Sequence, residues 1–221
     1  MKMKDTKKAD TTTKDRILDA AETLFAQQGY HGTTTRQIAE QAGITLPTLH
    51  YHCGGKLKLH TTILERAIQP ILEMLARYAV EISKRNLKDD SVLYEFIDRI
   101  IEELFDRLAE HPNHPLLFFR LWMEKDREAY RLPQEVWTPF VRKWAEDIQG
   151  RFAAKRGKNL NLPLTLLTLS VSLWGLFINP DVADLLDVKP NSPEHLAALK
   201  QHAKRMSARM IGLEPSAAGR K

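Results

Sequence analysis

One cysteine, Cys53, stands among the 221 residues, so the chain cannot close an intramolecular disulfide. No window approaches the run of about 20 apolar residues that a membrane-spanning helix needs. The first residues, Met-Lys-Met-Lys-Asp-Thr-Lys-Lys, are charged where a secretory segment is apolar. A cytoplasmic protein with no membrane partner is therefore expected. Glycine-rich nucleotide loops, a Walker lysine and zinc-finger spacing are all missing. So are a nucleophile elbow and a His-Glu-x-x-His pair. His111 and His114 have no nucleophile at readable spacing. The expectation is a protein that is not an enzyme and carries no cofactor.

What the chain does have is a small excess of positive charge. Its 33 Lys and Arg against 28 Asp and Glu give a net +5. The excess leans weakly toward the first 66 residues, which hold 10 basic and 7 acidic side chains. That is compatible with a nucleic-acid partner and does not demonstrate one.

The most informative stretch is Thr34 to Cys53, Thr-Thr-Arg-Gln-Ile-Ala-Glu-Gln-Ala-Gly-Ile-Thr-Leu-Pro-Thr-Leu-His-Tyr-His-Cys. It spells two short helices, about 35–41 and 46–52, around a tight turn. Ala39 is small where two helix axes must approach. Gly43 supplies the positive φ that a sharp helix–helix turn needs. Thr35 is the expected cap of the first helix and Thr45 of the second, with Pro47 tolerated in the first turn. Thr48, His50, Tyr51 and His52 then surround one apolar anchor, Leu49. A helix-turn-helix of this build lays its second helix in the DNA major groove.

Flanking patterns extend the reading. A helix over about 13–28 carries the stripe Ile17, Leu18, Ala21, Leu24 and Phe25, with Gly29 at its left-handed terminus. Gly54-Gly55 break the chain before a long helix over about 56–84. Pro70 lies inside that helix, where a kink or a break is expected. Further helices are expected at about 92–110, 115–130, 138–155, 162–178 and 193–211, the last with Ser192 as N-cap, Pro193 at its start and Gly212 as terminator.

On these residues the chain resembles the TetR family of bacterial transcriptional repressors. The resemblance runs from Thr12 to about Arg66. It rests on Arg-Ile-Leu-Asp-Ala-Ala-Glu-Thr-Leu-Phe-Ala-Gln-Gln-Gly-Tyr (16–30), Thr-Thr-Thr-Arg-Gln-Ile-Ala (33–39), Leu-Pro-Thr-Leu-His-Tyr-His (46–52) and Lys56. Two positions depart from the family pattern. His50 stands where an aromatic, typically Tyr, is usual, and Cys53 where Phe usually closes the motif.

The resemblance implies an all-α fold. An N-terminal three-helix domain would be joined by a long helix to a C-terminal ligand-binding and dimerisation domain. The expected divisions are a flexible basic arm at 1–11, the DNA-binding domain at 12–58 with its motif at 34–53, the effector and dimer domain at 59–214, and a tail at 215–221. It also implies a ligand-released homodimeric repressor on a palindromic operator of double-stranded DNA, with a small-molecule effector of unknown identity. Arg36 would contact bases or clamp the backbone. Thr45, Leu46, Pro47 and Thr48 would open the recognition helix toward base edges. Thr33, Thr34, Thr35, His50, Tyr51, His52 and Lys56 would bind phosphates.

For the C-terminal domain, Phe105, Phe118, Phe119, Trp122, Met123 and Trp174 are candidates for an apolar effector cavity. His114, Arg120 and Glu124 are candidates for its polar specificity. Leu164, Leu167, Val171, Trp174, Phe177, Leu199, Met206 and Met210 are candidates for the dimer surface. Two rivals remain at this point. One is an all-helical small-molecule sensor with weak or no DNA binding. The other is a metal sensor using His50, His52, Cys53 and His60, which helical geometry disfavours because residues two apart point to different faces.

Overall fold

A computed structural model describes residues 12–86, 89–124 and 192–213, with single positions between 125 and 191. The described residues form seven helices: α1 (Thr13–Gly32), α2 (Thr35–Gln41), α3 (Leu46–Cys53), α4 (Lys56–Ser83), α5 (Asp90–Glu110), α6 (Asn113–Glu124) and α7 (Pro193–Met210). The all-helical expectation holds. The helices expected at 138–155 and 162–178, the arm at 1–11 and the tail lie outside the described residues, apart from isolated positions.

Local chemistry sets the helix ends. Thr12 caps α1 through a capping box with Asp15. Gly29 takes φ 74°, as expected of a terminator, but the chain resumes one more turn to Gly32. Asp89 caps α5, accepting from the Ser91 N–H at 2.9 Å. α4 runs through Pro70 without a break, contrary to one of the two expectations there. The lost backbone bond is offset because Ile68, Ile71 and Leu72 on either side are all buried in one core.

There are two cores, and α4 belongs to both. Its first half gives Leu59, Ile63 and Leu64 to a cluster with Ile17, Leu24, Phe25, Ile38 and Leu49. Its second half gives Ala67, Ile71, Met74 and Tyr78 to a cluster with Leu93, Phe96, Phe105 and Ala203. Ion pairs flank the second core. Arg99 grips Glu81 with both nitrogens, at 2.6 and 3.0 Å, tying α5 to α4. Lys200 and Lys204 of α7 reach Glu102, Asp98 and Asp106 of α5, and the two ammonium groups hold the Glu102 carboxyl below its ordinary pKa.

α6 also serves both cores. Leu117 and Leu121 pack with α1, while Phe118 enters the second core. Arg120 donates to the carbonyls of Ala26 and Gln27 near the end of α1. Arg120, a candidate for polar specificity, is thus held by a backbone 94 residues away. His114 is buried and meets Glu22 of α1 at 3.5 Å. Its ring stacks on His111 at 4.6 Å.

This junction titrates. Burial first, and then the neighbouring His114, hold His111 below its ordinary value of 6.5. Burial pushes the Glu22 carboxyl up, but His114 and Arg66 more than offset that and bring it below 4.5. Below pH 6.5 the unfolded chain therefore binds more protons at position 111 than the folded chain, so stability falls as pH falls. Glu22 acts in the same direction below 4.5. The melting temperature should drop between about pH 7.5 and about pH 5, and His111→Gln should flatten that drop. Melting curves across this range, monitored by circular dichroism, check it.

Candidate nucleic-acid interface

The turn between α2 and α3 is built from satisfied backbone groups. Ala42 N–H donates to the Ile38 carbonyl at 2.9 Å, and Ile44 N–H to the Ala39 carbonyl at 2.9 Å. Gly43 lies between them at φ 65°, the left-handed conformation its sequence context calls for. The carbonyls of Ala42 and Gly43 accept from a side chain outside both helices. Arg16 of α1 takes them: its Nε donates to Ala42 at 3.1 Å and its Nη2 to Gly43 at 3.1 Å. Arg16 is the functional residue that sequence reasoning missed. Its partners lie 26 and 27 residues away, and no local pattern announces them.

The run Thr33-Thr34-Thr35 divides into three roles. Thr34 caps α2, not Thr35. Its hydroxyl accepts from Gln37 N–H at 3.2 Å, and Gln37 Oε1 accepts from Thr34 N–H at 2.8 Å. A capping box needs an extended residue three before the Gln, and only Thr34 meets that spacing. Thr35 is the first helical residue and half-buried. Thr33 is fully buried, and its hydroxyl donates to the carbonyls of Gly29 at 2.8 Å and Leu24 at 3.1 Å. It closes the break after Gly29, so its hydroxyl is an internal tie and not the phosphate contact that the resemblance implies.

Helix α3 turns one side inward. Leu49 is fully buried and Cys53 nearly so, one turn apart. Burial pushes the Cys53 thiol up, with Lys14 and Lys58 pulling the other way. Thr45 caps the helix, accepting from Thr48 N–H at 3.4 Å, and the two hydroxyls lie 2.8 Å apart. The outward side presents Pro47, His50, Tyr51 and His52, all exposed, with Leu46 and Thr48 half-buried beside them. Tyr51 is 86% exposed, the largest exposure among the large apolar and aromatic side chains described. Arg36 is exposed in the first turn of α2.

Gly54, at φ 75°, ends α3, and Gly55 begins α4 without a side-chain cap. The first N–H groups of α4 therefore have neither a helical partner nor a capping oxygen, and no acidic residue occupies that turn. Lys56 is there, its Nζ 4.4 Å from the centre of the Tyr30 ring. Uncapped N–H groups beside an ammonium suit an anion.

The metal candidates separate. His50 and His52 are on the outward side of α3, whereas Cys53 and His60 are buried. Among the described residues no three metal-ligating side chains converge. The C-terminal candidates are also spread out. Phe105 and Phe118 sit in the second core, while Phe119 and Met123 are exposed. Glu124 ends α6. Leu199 packs partly against the second core, Met206 and Met210 are half-buried, and Leu164 is exposed. Trp174, Leu167, Val171 and Phe177 lie outside the described residues, and the Trp122 side chain is not described.

Comparison with known proteins agrees with this geometry. Residues 17–60, which carry α1 to the start of α4, match the family described as bacterial regulatory proteins, tetR family. Over 187 residues, 82% of this chain and 86% of the relative, the sequence is 24% identical to a probable HTH-type transcriptional regulator, YttP, of Bacillus subtilis. Over 94 residues, 42% of this chain and 48% of the relative, it is 31% identical to the biofilm operon icaADBC HTH-type negative transcriptional regulator IcaR of Staphylococcus epidermidis. The fold is similar to that of a TetR-like transcriptional regulator from Rhodococcus sp. RHA1, with a TM-score of 0.62 at 18% identity, covering 89% of this chain and 94% of that one.

Thr33→Val should cost about 1–2 kcal/mol, because buried carbonyls lose their donor. It should leave the salt dependence of DNA binding unchanged, since Thr33 reaches no phosphate. Denaturant melts and salt titrations of the same variant test both halves.

Proposed function

We propose that this chain, which is a TetR-family helix-turn-helix transcriptional regulator and not an enzyme, represses transcription as a homodimer on a palindromic operator and is released by a small-molecule effector. The observation that carries the DNA-binding half is the outward side of α3. It presents a cluster of hydrogen-bonding side chains on a helix whose inner side is locked by Leu49 and whose turn is tied by Arg16. Thr48 offers a donor and an acceptor to base edges, and Leu46 and Pro47 offer apolar contact, for instance to a thymine methyl; His50, Tyr51 and His52 offer hydrogen-bonding groups to phosphates. Arg36 can grip a guanine edge with two nitrogens. Thr34, Thr35 and the α4 terminus with Lys56 would fix the register on phosphates.

Dimerisation follows from the size of the reading head. One such domain covers few base pairs. Two related by a dyad read half-sites about one helical turn apart. Exposed Leu164, together with Leu199, Met206 and Met210 of α7, supports a surface near the C-terminal end of the chain.

Release by an effector is supported by the way α6 and α4 are shared. Phe118 touches the second core, and Arg120, two residues on, holds the end of α1. A ligand that repacks Phe105 or Phe118 would therefore move the element that carries the helix-turn-helix. A repressing role agrees with the name of the relative IcaR, a negative regulator.

Selection of bound sequences from a random duplex pool tests the function. A palindromic consensus, bound by two chains per duplex, is the expected result. Absence of any enriched sequence, or enrichment of a single unsymmetrical site bound by one chain, would overturn the proposal. With the consensus in hand, Arg36→Ala should lose about 1–3 kcal/mol and relax preference at one symmetric pair of positions. Affinities for singly substituted operators measure that.

A further inference from the structure

We infer that Tyr30 is a positioning residue for the phosphate contact of Lys56, holding the ammonium in place through the face of its ring. The inference rests on reading Lys56 as a phosphate contact.

The ring is itself held firmly. Gly29, at φ 74° and ψ 178°, breaks the helical path, so Tyr30 starts a new turn. Its ring stacks on Phe25, with centroids 6.3 Å apart and planes 20° apart. It also meets His60 at 4.9 Å. Phe25 and His60 are 1% and 4% exposed, so two buried rings back the Tyr30 ring. Lys56 Nζ lies 4.4 Å from its centroid, well within cation–π range.

The chemistry of the partner matters. A carboxylate at this place would orient the lysine and cancel its charge. Among the described residues no carboxylate pairs with Lys56, and the first turn of α4 has no acidic residue. An aromatic face attracts the ammonium through its quadrupole and leaves the full positive charge for a phosphate. A lysine stem otherwise samples many rotamers, and DNA binding would have to freeze them. Folding already sets Lys56 over a fixed ring, beside the uncapped N–H groups of α4. Gly55 is itself exposed, with no side chain to cover that terminus.

The test uses the full chain and random-sequence duplex DNA at a series of salt concentrations. Lys56→Gln should lower the slope of log affinity against log salt by about one per bound chain. Tyr30→Leu should weaken binding about threefold in the Lys56 chain and cause no further loss in the Lys56→Gln chain. Tyr30→Phe, which keeps the ring face, should bind like the parent. Pentafluorophenylalanine at position 30 keeps the shape but reverses the quadrupole, so it should reproduce the Tyr30→Leu loss in a chain that still folds. Equal losses from Tyr30→Leu in both backgrounds would overturn the inference, as would parental affinity of the pentafluoro variant. A Lys56→Gln chain with the parental slope would remove Lys56 as a phosphate contact, and the inference with it. In that case the fault lies in the reading of Lys56 and not in the coupling.

Discussion

The reading head depends on one guanidinium. Helix α2 is only seven residues long, too short to be stable alone, and α3 is eight. The angle between them is set at Ala42 and Gly43. Arg16 donates to both carbonyls and ties the turn to α1, which is twenty residues long and packed on its apolar stripe. Hydrogen bonds from a charged donor are roughly twice as strong as neutral ones. The buried Ile38, Ala39 and Leu49 then complete a scaffold from which the outer side of α3 projects. Without that tie, left-handed Gly43 would be a hinge; with it, the turn is a fixed corner.

The second constraint is that neither core owns its own boundary. α4 passes from the first core to the second between Leu64 and Ala67, in the middle of a continuous helix. α6 contributes Leu117 and Leu121 to one core and Phe118 to the other. A shift in the second core therefore cannot be absorbed in a linker, because there is none between these elements. The side chains at that boundary are already in contact with α1, Arg120 on its carbonyls and His114 on Glu22. Packed interiors transmit small displacements in this way because they have no slack.

Much of the architecture was legible in the amino-acid order, for specific reasons. Thr45, Gly43, Gly54 and Gly212 are local signals, each acting within four residues, and they act as read, whereas Gly29 takes the expected positive φ but the helix resumes to Gly32. The stripe Ile17, Leu18, Ala21, Leu24 and Phe25 is buried throughout. Where identical residues adjoin, the signal degenerates. In Thr33-Thr34-Thr35 the hydroxyls are alike, and what tells them apart is the Gln three residues on from Thr34. Pro70 failed to break α4 because tertiary packing outweighed a local penalty. Arg16 and Arg120 were illegible as structural ties because their acceptors are backbone carbonyls 26 and 94 residues away, which no side-chain pattern marks.

The two positions that depart from the family pattern fall on opposite sides of α3, and this separates their consequences. His50 is on the exposed side, so its exchange for the usual aromatic alters contact chemistry and leaves the helix anchor alone. An imidazole is shorter than a phenol and places its donor closer to the helix axis. Tyr51, the next residue and 86% exposed, keeps a phenol available at this surface, about 100° further round the helix. Cys53 is on the buried side, 8% exposed, in the same cluster as Leu49 and Leu59. A thiol fills much less space than a phenyl ring, so the last turn of α3 is held chiefly by Leu49 and by the bond from Gly54 N–H to the His50 carbonyl. That bond links the two departures: the residue that changes the contact surface also accepts the bond that closes the helix. A side chain at position 50 that disturbed the local backbone would loosen an end which Cys53 holds only lightly. The tolerance of this recognition helix to substitution is therefore set on its inner side, even where the exchange is made on the outer one.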